Sequence, residues 1–84
     1  MAQGYSLRKA SNYYKGLDGK WKLHSIAVWD EKGYTRLFPT IEAAEQEAKE
    51  RLHANHERRN ADEENYIAYY KIYHGKEYIK TITE

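Results

Sequence analysis

The chain has no cysteine, one proline, one methionine, one phenylalanine and one valine. Without cysteine it can form neither a disulfide nor a thiolate zinc site, and a reducing, intracellular home is compatible with that. Residues 1–30 contain no apolar run like a signal-peptide core. No segment approaches the roughly 20 apolar residues that cross a bilayer. The sequence therefore predicts a soluble protein, cytoplasmic in a host cell and with no membrane partner.

Chemistry-bearing patterns are equally scarce. No glycine-rich phosphate loop is present, and neither HExxH nor HxxEH occurs. Ser6, Ser11 and Ser25 lack any local nucleophile signature. His53, His56 and Glu57 could share one helix face, but the apolar stripe has stopped there, so they read as solvated residues rather than a metal site. The expectation is a protein that is not an enzyme, with no metal and no cofactor.

What is present is tyrosine. With only five leucines and six isoleucines among 84 residues, nine tyrosines and two tryptophans must supply much of the buried area of one small domain. A tyrosine does this well only when its hydroxyl reaches water or a partner. The net charge of +1 hides an uneven distribution. Residues 1–28 carry Arg8, Lys9, Lys15, Lys20 and Lys22 against Asp18 alone, whereas Asp62, Glu63 and Glu64 form an acidic knot.

The one long helical pattern lies between Phe38 and Asn60. Pro39 blocks helix before it and Thr40 is placed to cap its first turn. Glu42 and Glu45 suit the positive end of the dipole, and Arg58 and Arg59 the negative end. Glu45–Lys49 and Glu47–Arg51 are i,i+4 ion pairs. Ile41, Ala44, Ala48 and Leu52 form a narrow, small-residue stripe, continued weakly by Asn55, so the helix should lie close on a sheet and fray after His53.

Strand-like sequence flanks it. Residues 1–11 read as a flexible arm or a short edge strand. Residues 12–29 read as a hairpin around Asp18-Gly19, a favoured two-residue turn. That turn puts Lys15 opposite Lys22 and Tyr14 opposite Leu23. A bulge near Ser25, or burial on both faces, would explain the broken alternation of the second arm. Asp30–Gly33 is a turn with Gly33 suited to a positive φ, and residues 33–38 form a third strand. After the polar connector 60–65, a second hairpin turns at His74-Gly75-Lys76. The layout is α+β: a five-stranded antiparallel sheet, β-β-β-α-β-β, with one helix on one face. A free edge strand after residue 76 makes a homodimer by sheet extension an available assembly.

In residues 66–73, Ile67, Tyr69 and Tyr73 alternate with Tyr66, Ala68, Tyr70 and Ile72. Only one set can lie under the helix, so the other leaves tyrosines exposed beside lysine. Tyr66, Tyr69, Tyr70, Tyr73 and Tyr78, with Lys71, are the candidate partner-binding residues, because a rigid ring beside a cation is typical of protein-binding surfaces. Stacked lysines on the first hairpin would suit an anion instead.

Gly19-Lys20-Trp21, followed by Phe38, Thr40, Glu42, Ala43 and Ala44, resembles the three-strand-plus-helix DNA-binding domain of plant ethylene-response factors and the arm-type domain of phage integrases. That resemblance spans residues 14–52 and implies duplex DNA on the sheet face, contacted by Lys15, Lys20, Lys22 and Arg36. In size and tyrosine load the chain also looks like small phage anti-defence proteins, anti-CRISPR proteins among them. The leading expectation is a phage or mobile-element inhibitor that blocks a host protein, and the alternative is a DNA-binding module.

Overall fold

The computed structural model describes residues 4–58 and 60–83. The elements run β1 (Tyr5–Lys15), β2 (Trp21–Ala27), β3 (Leu37–Phe38), α1 (Ile41–Arg58), β4 (Ile67–His74) and β5 (Glu77–Ile82). All pairings are antiparallel, in the order β2-β1-β4-β5. The expected α+β architecture is present. The third strand is shorter than expected, with two residues that pair with Tyr5 and Ser6 at the start of β1.

The largest departure from the sequence reading concerns the amino terminus. Residues 5–11 are neither an arm nor an edge. They are the first part of the central strand, paired with β2 and β3 on one side and β4 on the other. Leu7 is fully buried, and Ala10 and Ser11 are nearly so. The polar composition of this stretch disguises it, because backbone pairing rather than apolar side chains holds most of it. Residues 1–3 of the expected arm lie outside the described residues, as does Arg59 at the expected helix end.

Two turns differ in kind. Asp18-Gly19 is not a two-residue turn but the tip of a loop from Gly16 to Lys20, closed by Gly16 N–H to Lys20 O at 2.8 Å. Asp18 Oδ1 accepts from Lys20 N–H at 3.0 Å, and Gly19 takes φ +78°. This longer loop shifts the pairing by one residue, so Lys15 faces Trp21 and Tyr14 faces Lys22. The expected Lys15–Lys22 stack therefore does not form. The bulge falls at Tyr13, between Asn12 and Tyr14, rather than near Ser25. At the expected Asp30–Gly33 turn, Asp30 Oδ1 accepts from Lys32 and Tyr34 N–H, and Gly33 sits at φ +88°. Trp29 and Thr35 bridge across it, making a small finger between β2 and β3.

The helix begins as its sequence dictates, with Thr40 Oγ1 accepting from Ala43 N–H at 3.0 Å. Ala44, Ala48 and Leu52 are fully buried against Leu7, Phe38, Tyr70, Ile72 and Ile82. It does not fray after His53. Asn55 accepts from Ile67 N–H at 2.8 Å and donates to Asn65 O at 3.3 Å. The His56 ring stacks on Tyr66 at 4.8 Å, with Nε2 3.1 Å from Ile67 O. A polar clamp on the start of β4 thus continues the helix where apolar burial ends. The connector itself is pinned to the sheet, with Asn12 Nδ2 donating to Ala61 O and Glu63 O at 2.7 and 2.9 Å.

Tyr70 fills the centre of the core with no exposed surface, and its hydroxyl has no hydrogen-bond partner. The Arg51 guanidinium is close enough to act on it electrostatically without meeting it in bonding geometry. Burial pushes the hydroxyl above the usual tyrosine pKa, and the Arg51 charge pulls it only partway back. An unsatisfied buried hydroxyl costs about 1–3 kcal/mol. Tyr70→Phe should therefore raise stability by about 1 kcal/mol in urea unfolding, where a well-bonded hydroxyl would give a loss. The raised folded-state pKa means that the stability from burying neutral Tyr70 is intact below about pH 10 and declines as pH rises further. The same variant should flatten that alkaline limb, and an unchanged slope would count against this account.

Candidate functional site

One helix covers one face of the sheet, and register decides which side chains remain on the other. Directly paired residues point to the same side, so Tyr70 with Ile82, and Ile72 with Lys80, place these positions under or beside α1. Ser6, Arg8 and Ala10 of β1 pair with Tyr73, Lys71 and Tyr69 of β4 on the opposite side. Across β5 the open side continues with Tyr78 opposite Tyr73 and Thr81 opposite Lys71.

Two irregularities keep isoleucines off this face. Between Ala10 and Ser11 the register skips Ala68, which moves Ile67 from the Tyr69–Tyr73 side, where strict alternation puts it, to the side packed on the core. In β5 the register skips Ile79 between Lys80 and Tyr78, and Ile79 also packs against the core. Both bulges let isoleucines turn inward while the tyrosines stay outward.

The six candidate partner-binding residues therefore separate. Tyr69, Lys71, Tyr73 and Tyr78 are brought together. Lys71 Nζ lies 5.6 Å from the Tyr69 ring centre and 5.8 Å from that of Tyr78. Tyr73 and Tyr78 meet edge to face at 5.9 Å, and the Tyr78 hydroxyl lies 2.6 Å from Thr81 Oγ1. Tyr78 is 51% exposed, the most open of the three rings. Tyr70 does not join them, because even-numbered positions of β4 face the helix and it is sealed in the core. Tyr66 stacks on His56 at the helix end and belongs to the clamp.

The four residues of the DNA reading do not form one patch. Lys15 lies over the Trp21 ring at 5.9 Å, and Lys22 Nζ is 3.8 Å from Asp18 Oδ2. Lys20 stands in the exposed hairpin loop. Arg36 sits beyond the opposite end of β1, next to the β3 pairing at Ser6. Nine residues of strand, roughly 30 Å, separate that pairing from Lys15. Arg36 stacks over Phe38 and pairs with Glu47 on α1 at 3.5 Å. It lines an open cleft of about 600 Å³ with Trp29, Lys32 and Arg51 beside the 29–35 finger.

Sequence reasoning missed Arg8, the cation paired directly with Lys71. The sequence carries little signal for it: Lys9 and Ala10 break the polar–apolar alternation that Ser6, Leu7 and Arg8 begin, so residues 1–11 read as an arm or a short edge strand. Of the histidines, His53 bonds Glu57 at 2.9 Å, and His24 packs against Tyr13 at 4.8 Å. Among the described residues no three histidine, aspartate or glutamate side chains gather as a metal-binding group.

Set against protein-family models, curated proteins and solved structures, the chain finds no match.

The position of β5, and with it Tyr78, is tied to the helix by Glu45. Its carboxylate accepts from Lys80 at 3.0 Å, and Lys49 lies 3.1 Å away. The Lys80 hydrogen bond foremost, and the Lys49 bond after it, hold the Glu45 pKa below its ordinary value. A lowered folded-state pKa stabilises above the ordinary carboxylate range, and this contribution is lost as pH falls through it. Glu45→Gln should therefore lower the urea midpoint near neutral pH, with the gap to wild type closing as pH falls toward about 3. A gap that stays constant would assign the loss to packing.

Proposed function

We propose that the chain is a binding protein that docks a partner protein through the open face of its sheet. Tyr69, Tyr73 and Tyr78 serve as anchors and Lys71 is held between two of the rings. The observation that carries this reading is the one-sided helix cover together with a tyrosine–cation cluster on the uncovered side. Rings of this kind offer large, rigid contact area with few torsions to freeze, and their hydroxyls can bond at the rim. A cation already placed over aromatic faces needs little reordering on binding.

The more specific version, a phage or mobile-element inhibitor that acts by covering the working surface of a host protein, rests on the chain's size and tyrosine-rich composition. The free edge of β5, beside Tyr78, supports a homodimer as a further assembly on the same side of the molecule.

A photo-crosslinking residue in place of Tyr78 should capture a partner that excess wild-type protein competes away, whereas the same residue at Gln46, on the solvent side of α1, should not. With that partner purified, Tyr73→Ala should weaken binding by about 30-fold, the loss typical of a buried anchor, and Gln46→Ala should leave it unchanged. Capture through position 46 alone would move the interface to the helix and end this reading.

A further inference from the structure

The centre of the open face joins two like charges. Arg8 on β1 and Lys71 on β4 are direct partners in the register, so both side chains rise from the same side of the sheet about one strand spacing, roughly 4.8 Å, apart. Like charges opposite each other destabilise a sheet, and a carboxylate at a neighbouring position would relieve the repulsion. None does so. The open-side positions of β1, β2, β4 and β5 include no aspartate or glutamate. Among the described residues, every ion pair involves other cations.

Carboxylates are available elsewhere in the chain and are used. Glu45 pairs with Lys80 and Lys49, and Glu47 with Arg36 and Arg51, all on the helix side. The acidic connector is held at the hairpin end, where Trp21 Nε1 donates to Asp62 O at 2.8 Å. Charge is thus sorted by face, and the sorting leaves a positive centre ringed by tyrosines.

The two cations lean apart. Arg8 turns toward β2, donating from Nε to Ser25 Oγ at 3.1 Å and from Nη2 to Ser25 O at 3.2 Å. Lys71 leans toward Tyr69 and Tyr78. Among the described residues, the other guanidinium nitrogen of Arg8, Nη1, makes no hydrogen bond, and Lys71 makes no ion pair but lies near two ring faces.

Resting on the open face being a docking surface, we propose that the gap between Arg8 and Lys71 is an anion site that receives a carboxylate from an acidic segment of the partner protein. A guanidinium with a free edge suits a carboxylate, and an ammonium beside it adds a second charge-assisted bond. Tyrosine hydroxyls at the rim can complete the oxygens' remaining bonds. A nucleic-acid strand fits less well. Tyr73 and Tyr78 pack edge to face rather than lying flat as platforms for bases. Two cations at the centre also neutralise few phosphates.

The test is an NMR titration of the whole chain, following the tyrosine-ring and arginine Nε signals. Three probes are used: a short peptide alternating glutamate with alanine, its glutamine counterpart, and a short thymidine oligonucleotide. The glutamate peptide should shift Tyr69, Tyr73, Tyr78 and Arg8 and bind at least about tenfold tighter than the glutamine peptide. Arg8→Gln with Lys71→Gln should abolish that preference while raising the thermal midpoint, since removing two opposed cations relieves repulsion. Lys71→Gln alone serves the same purpose should the double variant misfold. Equal binding of both peptides at these tyrosines would overturn the anion site and leave the docking face standing. Absence of glutamate-peptide binding, or tighter binding of the oligonucleotide, would overturn the site as well. Shifts confined to α1 or to the hairpin loop would remove both.

Discussion

A single helix cannot cover two sides of a sheet, and that limitation organises this molecule. The stripe of α1 is narrow and half alanine, so the helix lies close on β4, with β1, β3 and β5 adding the rest of the contact. The buried core is correspondingly thin: Leu7, Phe38, Leu52, Tyr70, Ile72 and Ile82 supply its bulk, with Val28 and two alanines filling in. Everything the sheet carries on its other side must live in water or against a partner. The two bulges follow from the same limitation. Large aliphatic residues are few here, and the irregularities at Ala68 and Ile79 turn Ile67 and Ile79 toward the apolar layer under the helix.

The helix and the order of elements were legible because their signals are local. Pro39 and Thr40 mark the start of α1, the Ile41–Leu52 spacing marks its buried stripe, and Gly33 and Gly75 mark turns that occur where they stand. The misread parts depend on partners distant in sequence. Residues 5–11 carry no strong strand signal of their own, yet β4, more than fifty residues later, completes them as a central strand. Likewise the helix passes His53 because Asn55 and His56 find the backbone of Asn65 and Ile67, a contact that apolar periodicity does not encode.

The candidate site shows the same division. Alternation in β4 was enough to separate Tyr69 and Tyr73 from Tyr70, but not to say which set the helix would cover. The apolar partners settle that: Ile72 and Ile82 accompany Tyr70 inward, whereas Lys71 and Thr81 accompany the others outward. The positions of the bulges, which remove Ile67 from the tyrosine face, depend on pairing geometry and are invisible to a strict period of two. The expected lysine stack on the first hairpin failed for a related reason, since a five-residue loop in place of a two-residue turn slips the register by one and flips the opposing side chain.

The Tyr70 hydroxyl and the Arg8–Lys71 opposition both run against local preference, and they differ in what accounts for them. The Tyr70 hydroxyl is buried without a partner, but the ring beneath it fills a core that has few large aliphatic residues to draw on, so packing accounts for it. The Arg8–Lys71 opposition fills no volume, and neither cation covers the core. A glutamate in place of either would have made a favourable cross-strand pair with the other at no loss of burial, as the helix side does with Glu45 and Lys80. Departures of this kind that folding does not require are the ones expected where a surface serves a ligand. An anion arriving from outside would supply the missing charge, beside the Tyr69, Tyr73 and Tyr78 rings of the open face.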